Sequence, residues 1–190
     1  MNRMSTDVLS GTRLGALTVG DALFAFLRQQ GIDRIFGNPG STELPMFVDL
    51  PEDFSYVLGL QESLVVAMAD AYAQVSGKAA FVNLHSAAGL GHAMGNLYTA
   101  FRNRAPLIVT TGQQTRDLLP HDPFLFNESP VEFPKPYVKF AIEPARAEDV
   151  PAAIARAFLD AREGDDRKLI SGWLAVRWFK RAGWASEGFL

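Results

Sequence analysis

Three side chains of this 190-residue sequence stand where α/β proteins place their chemistry, just after short apolar runs: Ser41, Glu62 and His85. Glu62 falls where an apolar run gives way to a helical pattern. A carboxylate there can accept a fixed hydrogen bond from a ligand, or simply complement the helix dipole, worth about 0.3–1 kcal/mol. His85 ends an apolar run and faces small residues. Its imidazole suits proton transfer near neutral pH, or it is a half-buried ring bonded to backbone. Ser41 follows Pro39-Gly40. It can cap the next helix, offer its hydroxyl to a ligand carboxylate, or do both. No Gly-x-Ser-x-Gly elbow surrounds it, so a covalent nucleophile is not indicated.

The elements that must position these residues are legible in the spacing. Thr18-Val19-Gly20-Asp21 has the form of a capping box with Asp in place of Glu or Gln. Val19, Leu23, Phe26 and Leu27 then recur at helical spacing, and Gly31 can end that helix in the left-handed conformation. Short strands are expected at 33–36, 55–60, 79–84 and 106–111, with a weaker one at 137–142. Between them lie helices at 62–76, with Val65, Met68, Tyr72 and Val75 on one face, and at 88–103, with Leu90, Met94, Leu97 and Phe101 on one side. Another is expected at 149–161. Strands alternating with amphipathic helices imply an α/β fold with an open, mostly parallel sheet and helices on both faces. Ligands of such sheets bind at the carboxyl ends of the strands, where Gly37 to Ser41, Gln61-Glu62 and His85 to Gly91 fall. Residues 118–136, rich in Pro, Phe and acids, form a long loop suited to an active-site or interface segment.

Composition narrows the function. With no cysteine, the chain has no disulfide framework, thiolate metal site or cysteine nucleophile, and with three histidines it gives little support to a histidine-rich metal site. His121 is expected to be solvent-exposed. A net charge of -3 with scattered basic residues does not point to nucleic acid. No apolar run approaches the ~20 residues of a membrane span, and no secretory h-region opens the chain. The cytoplasm is the expected location. Gly89-Leu90-Gly91-His92-Ala93-Met94-Gly95 approaches a dinucleotide fingerprint, but its third glycine comes one residue late. The acid expected at the end of the next strand is replaced by Thr110-Thr111.

Taken in order, Phe36-Gly37-Asn38-Pro39-Gly40-Ser41-Thr42-Glu43-Leu44-Pro45, Leu60-Gln61-Glu62, Asn83-Leu84-His85-Ser86-Ala87-Ala88-Gly89 and Thr111-Gly112-Gln113-Gln114-Thr115-Arg116 resemble the thiamine-diphosphate-dependent enzymes. Within them the likeness is to the benzoylformate decarboxylase branch, over residues 19–161. The resemblance implies a pyrimidine-binding domain of a non-oxidative 2-keto-acid decarboxylase. It implies that Glu62 hydrogen-bonds N1′ of the thiamine diphosphate aminopyrimidine, that His85 transfers protons, and that Ser41 meets the substrate carboxylate. Asn38, Pro39, Gly40, Gly89 and His92 would line the cofactor pocket. His92 departs from the family pattern, which carries Asn there. Family sites form between subunits, so apolar surface around helices 62–76 and 88–103 is expected to meet a partner.

The family also binds the diphosphate through Mg²⁺, marked by Gly-Asp-Gly and a downstream Asn. Here Gly164-Asp165-Asp166 is the near match, and no asparagine follows Asn127. The expected organisation is a flexible segment 1–17, the pyrimidine-binding domain 18–162, and an atypical tail 163–190 without a clean strand, as a frameshift or truncation would produce. Three readings follow: a truncated decarboxylase inactive alone, a small subunit of a split enzyme whose partner chain binds the diphosphate, and a non-catalytic module binding a dinucleotide at Gly89 to Gly95.

Overall fold

A computed structural model describes residues 18–162 and 171–176. The flexible segment expected at 1–17, and tail residues 163–170 and 177–190, lie outside the described residues. In chain order the elements are α1 Val19–Gln29, β1 Arg34–Gly37, α2 Leu44–Phe47, β2 Ser55–Leu58, α3 Glu62–Ser76, β3 Ala80–Leu84, α4 Ser86–Asn103, β4 Leu107–Gly112, β5 Ala141–Ile142, α5 Val150–Arg162 and β6 Ser171–Val176.

Local chemistry sets the helix ends. The Thr18 hydroxyl accepts the Asp21 backbone N–H at 3.1 Å while the Asp21 carboxylate accepts the Thr18 N–H at 2.8 Å, a closed capping box. At the other end Gly31, at φ 70°, lets its N–H reach Arg28 O at 3.0 Å and that of Ile32 reach Leu27 O at 2.9 Å. Both bonds satisfy carbonyls that the helix leaves unpaired. Helix α3 begins with the Gln61 side chain accepting the Leu64 N–H at 3.2 Å.

All strands pair in parallel, in the order β2-β1-β3-β4-β6-β5. Alternation along the strands splits the core in two. Ile35, Phe81 and Ile108 face α1 and α5 through Leu23, Leu27, Ile154 and Phe158. Phe36, Val82 and Val109 face α3 and α4 through Val65, Ala69, Leu90 and Leu97. The central strands are therefore apolar on both faces, as a sheet covered by helices on both sides requires. The helices α3 and α4 are also pinned by polar bonds: Asn96 Nδ2 donates to Ser63 O at 2.7 Å, and the buried Asp70 accepts from Asn103 at 2.7 Å and Gln74 at 2.9 Å.

The structure departs from the sequence-based expectations at several places. Val75 does not share the buried face of α3; it is 89% exposed, and Val65, Val66, Ala69 and Ala73 form that face. The expected strand 137–142 shrinks to Ala141–Ile142, because Lys135–Tyr137 winds into a 3₁₀ turn that starts after Pro134. Asn127 lies within the long loop, and the Gln113 side chain donates to Asn127 O at 2.8 Å and accepts from Asn127 N–H at 3.3 Å, tying the loop to the end of β4. The largest correction is β6. A strand does follow the last helix, and it runs between β4 and β5, with Leu174 opposite both Thr110 and Ile142. A proline in such an inner strand removes a ladder donor. Leu174→Pro is expected to lower the unfolding free energy by more than ~1 kcal/mol, the net worth of one hydrogen bond, in urea titration. An unchanged midpoint would place β6 outside the sheet.

Candidate active site at the strand switch point

The chain leaves β1 for β2 on one side and returns to β3 on the other, so the strand order reverses at β1. At such a switch point the loops after neighbouring strands diverge and open a crevice at their carboxyl ends. Residues 37–43 leave β1 there, Glu62 opens α3 after β2, and His85 leaves β3. The side chains gather in two clusters joined by the loop that carries Asn38 and Gly40.

The first cluster centres on Glu62, which is 7% exposed. Asn38 Nδ2 donates to its Oε1 at 3.1 Å, and His92 Nδ1 lies 3.2 Å from its Oε2. Gly89 packs against the same carboxyl: a Cβ there would stand 3.0 Å from Glu62 Cγ and 3.1 Å from Oε1. The carboxylate thus lies against α4 because position 89 has no side chain. Two partners use about half of the roughly four lone-pair sites of a carboxylate, which leaves acceptor capacity for a ligand.

The second cluster surrounds Glu43, which is 0% exposed. The Gly40 N–H donates to its Oε2 at 2.9 Å, the Thr42 hydroxyl to its Oε1 at 2.6 Å, and His85 Nδ1 lies 2.8 Å from Oε2. A Cβ on Gly40 would overlap the His85 ring, and one on Gly112 would overlap Glu43 Oε1 and Thr42 Oγ1. Next to His85, Ser86 sits at φ 48°, a left-handed conformation costly for a non-glycine residue and frequent at functional sites.

Most of the expected site residues are placed in contact: Asn38, Glu62, Gly89 and His92 in one cluster, Gly40 and His85 in the other. Ser41 joins neither. It is exposed and makes no side-chain hydrogen bond among the described residues. Nor does it cap α2, whose N-cap position is Glu43 and carries no side-chain cap bond. Pro39 is half-buried between the clusters. His121 is exposed in a 3₁₀ turn. The run Gly89 to Gly95 lies wholly inside α4, which starts at Ser86, so it forms no strand-to-helix turn for a pyrophosphate. Thr42, Glu43 and Gly112 were not singled out from the sequence. They sit within the motif runs, but nothing local marks an acid whose partner is 42 residues away.

The aminopyrimidine of thiamine diphosphate fits what the first cluster offers: a buried, fixed carboxylate with unused acceptor positions beside a residue without a side chain. The described residues bring together no group of three or more His, Asp or Glu that could hold a metal ion. No helix among them is long and apolar enough to cross a membrane.

Comparison with known proteins shows the family. Residues 17–128, more than half of the chain, match the thiamine pyrophosphate enzyme N-terminal TPP binding domain. The chain belongs to that family. It is 49% identical over 144 residues to the benzoylformate decarboxylase of Pseudomonas aeruginosa, covering 76% of this chain and 27% of that protein. The benzoylformate decarboxylase structure from Polynucleobacter necessarius superposes with a TM-score of 0.80 at 44% identity, over 91% of this chain and 33% of that one. The thiamine diphosphate-dependent 4-hydroxybenzoylformate decarboxylase of Rhodococcus jostii RHA1 gives 0.77 at 42% identity, over 84% and 29%. Among more distant relatives, the acetolactate synthase large subunit of Haemophilus influenzae is 29% identical over 140 residues, covering 73% of this chain and 24% of that protein. The chain thus spans about a quarter to a third of the length of these proteins.

Among the described residues, two buried hydroxyls of the site, Tyr56 Oη and Ser86 Oγ, make no hydrogen bond. The Tyr56 hydroxyl is buried against Gly37 and has no hydrogen-bond partner among the described residues. Burial, and then the Glu43 charge, push its ionisation up from the ordinary tyrosine value. The folded state therefore holds that proton more tightly than the unfolded state does. The corresponding stability is complete below about pH 10, where the unfolded phenol ionises, and is lost as pH rises towards the folded value. Tyr56→Phe is expected to raise stability by about 1 kcal/mol, since it removes an unpaired buried hydroxyl. It is also expected to remove this component of the alkaline stability loss. Urea unfolding at neutral and alkaline pH reads both effects.

Proposed function

We propose that this domain holds the aminopyrimidine of thiamine diphosphate on Glu62 within a non-oxidative 2-keto-acid decarboxylase, with aryl keto acids such as benzoylformate as substrates. The observation that carries the reading is the buried Glu62 carboxylate, fixed by Asn38 and lying against Gly89 with acceptor positions to spare. The names of the relatives support the substrate class. Asn38, Pro39, Gly40, Gly89 and His92 line the cofactor side, His85 holds and moves a proton, and Ser41, exposed at the loop, is free to meet the substrate carboxylate. The bound cofactor supplies the electron sink for loss of carbon dioxide. Its diphosphate and Mg²⁺ are assigned to another domain or to a partner chain, so these 190 residues are inactive without it. Exposed Leu64, Val75 and Tyr98 on α3 and α4 favour an oligomer or such a partner over a lone monomer. The cytoplasm is the proposed compartment, which a chain without cysteine suits.

Calorimetry on the purified chain tests the reading. Thiamine diphosphate is expected to bind and NAD not to. Glu62→Gln is expected to weaken the former at least tenfold, given that a hydrogen bond to a charged group is worth about 1.5–3 kcal/mol. NAD binding without thiamine diphosphate binding would overturn it. With Mg²⁺ and cofactor, the chain alone is expected to leave benzoylformate unchanged; turnover abolished by Glu62→Gln would contradict the proposed inactivity.

A further inference from the structure

Glu43 is the most deeply buried acid of the site, and neither the family resemblance nor the proposed reaction gives it work. A carboxylate removed from water is costly unless donors surround it. Here the Gly40 N–H at 2.9 Å, the Thr42 hydroxyl at 2.6 Å and His85 Nδ1 at 2.8 Å all converge on it. We propose that Glu43 is a positioning residue that locks His85 in the Nδ1–H form and leaves Nε2 as the ring nitrogen that exchanges protons at the site.

The proton count on this network supports the assignment. Thr42 has one hydroxyl hydrogen, and the short bond to Glu43 Oε1 uses it. Towards His85 Nδ1, 3.2 Å away, Thr42 Oγ1 can then only accept. An ionised carboxylate also only accepts. Both atoms beside Nδ1 are therefore acceptors, and Nδ1 must carry hydrogen whether the ring is neutral or charged. Free imidazole has no such constraint. The ring is also held in place: its Cγ, Nδ1 and Cε1 edge rests on Gly40, where any side chain would displace it. Nε2 makes no hydrogen bond among the described residues. Tyr56 is the other ionisable group at Glu43, and its phenol is kept neutral by burial and by the Glu43 charge. A buried carboxylate behind an imidazole sets tautomer and orientation in other proton-transfer sites by the same physics.

The inference gives the proposed role of His85 its atom, but its test needs neither cofactor nor turnover, so it fails independently of that reading. Long-range ¹H–¹⁵N correlation of histidine rings in the full chain reports the protonated nitrogen directly. The chain has three histidines, so His85→Asn assigns the signal by its loss. Recorded alkaline of the ordinary histidine range, the wild-type His85 ring is expected to be Nδ1–H. Glu43→Gln is expected to cut the ratio of Nδ1–H to Nε2–H at least tenfold, and Glu43→Asp to restore part of it. A residue that only fills space would change stability and leave the tautomer untouched. A wild-type ring found as Nε2–H, or a Glu43→Gln ring still Nδ1–H, would overturn the proposal. The wild-type spectrum decides even if Glu43→Gln does not fold.

Discussion

Burying a carboxylate requires donors fixed in advance, and the crevice of this domain is organised around two of them. Glu62 and Glu43 both lie within the protein at the carboxyl ends of the parallel strands. Glu62 meets Asn38 only when β1 and β2 are aligned, and Glu43, already paired with Gly40 and Thr42 of its own loop, meets His85 only when β3 joins β1. The small residues follow from the same constraint. Gly89 admits Glu62 against α4, Gly40 admits the His85 ring, and Gly112 admits Glu43 and Thr42. Each is a place where a methyl group would push a side chain of the site away from its partner.

The two acids are matched to different tasks. Glu62 has one neutral amide donor and one exposed histidine, 60% exposed, beside it. That leaves acceptor positions for a ligand. Glu43 is closed off by three partners and reaches the site only through His85. In the proposed reading one carboxylate keeps acceptor positions for a ligand, and the other orients a neighbour. The division follows from position: Glu62 opens a long helix at the rim of the crevice, whereas Glu43 sits under the loop between β1 and α2.

Legibility in the sequence followed the range of the interactions. Helix α3 was bounded at Glu62 and Ser76 because its signals, an acid in the first turn and Gly77 after the last, are local. The capping box of α1 is likewise complete within four residues. Val75 was misplaced because helical spacing alone cannot say how wide a buried stripe is; the alanines at 69 and 73 let α3 pack closely and turned Val75 outward. The strand β6 escaped because its partners, β4 and β5, are distant in sequence and a strand flanked by charge has no local signature. At the site, Glu62 and His85 were visible because each follows an apolar run. Glu43 was not, since an acid after Gly-Ser-Thr reads as an ordinary loop residue until β3 brings His85 to it.

In the proposed geometry the carboxylate of Glu62 meets an aminopyrimidine because Gly89 leaves it room. Amide chemical-shift mapping with the isolated aminopyrimidine, in the wild type and in Gly89→Ala, tests this most directly. Alanine favours a helix by up to about 1 kcal/mol over glycine, so the variant should keep α4. Shifts are expected at Asn38, Glu62 and Gly89 in the wild type, and their loss in a variant that remains folded. Equal binding by both proteins, or shifts centred away from Glu62, would contradict the proposed geometry.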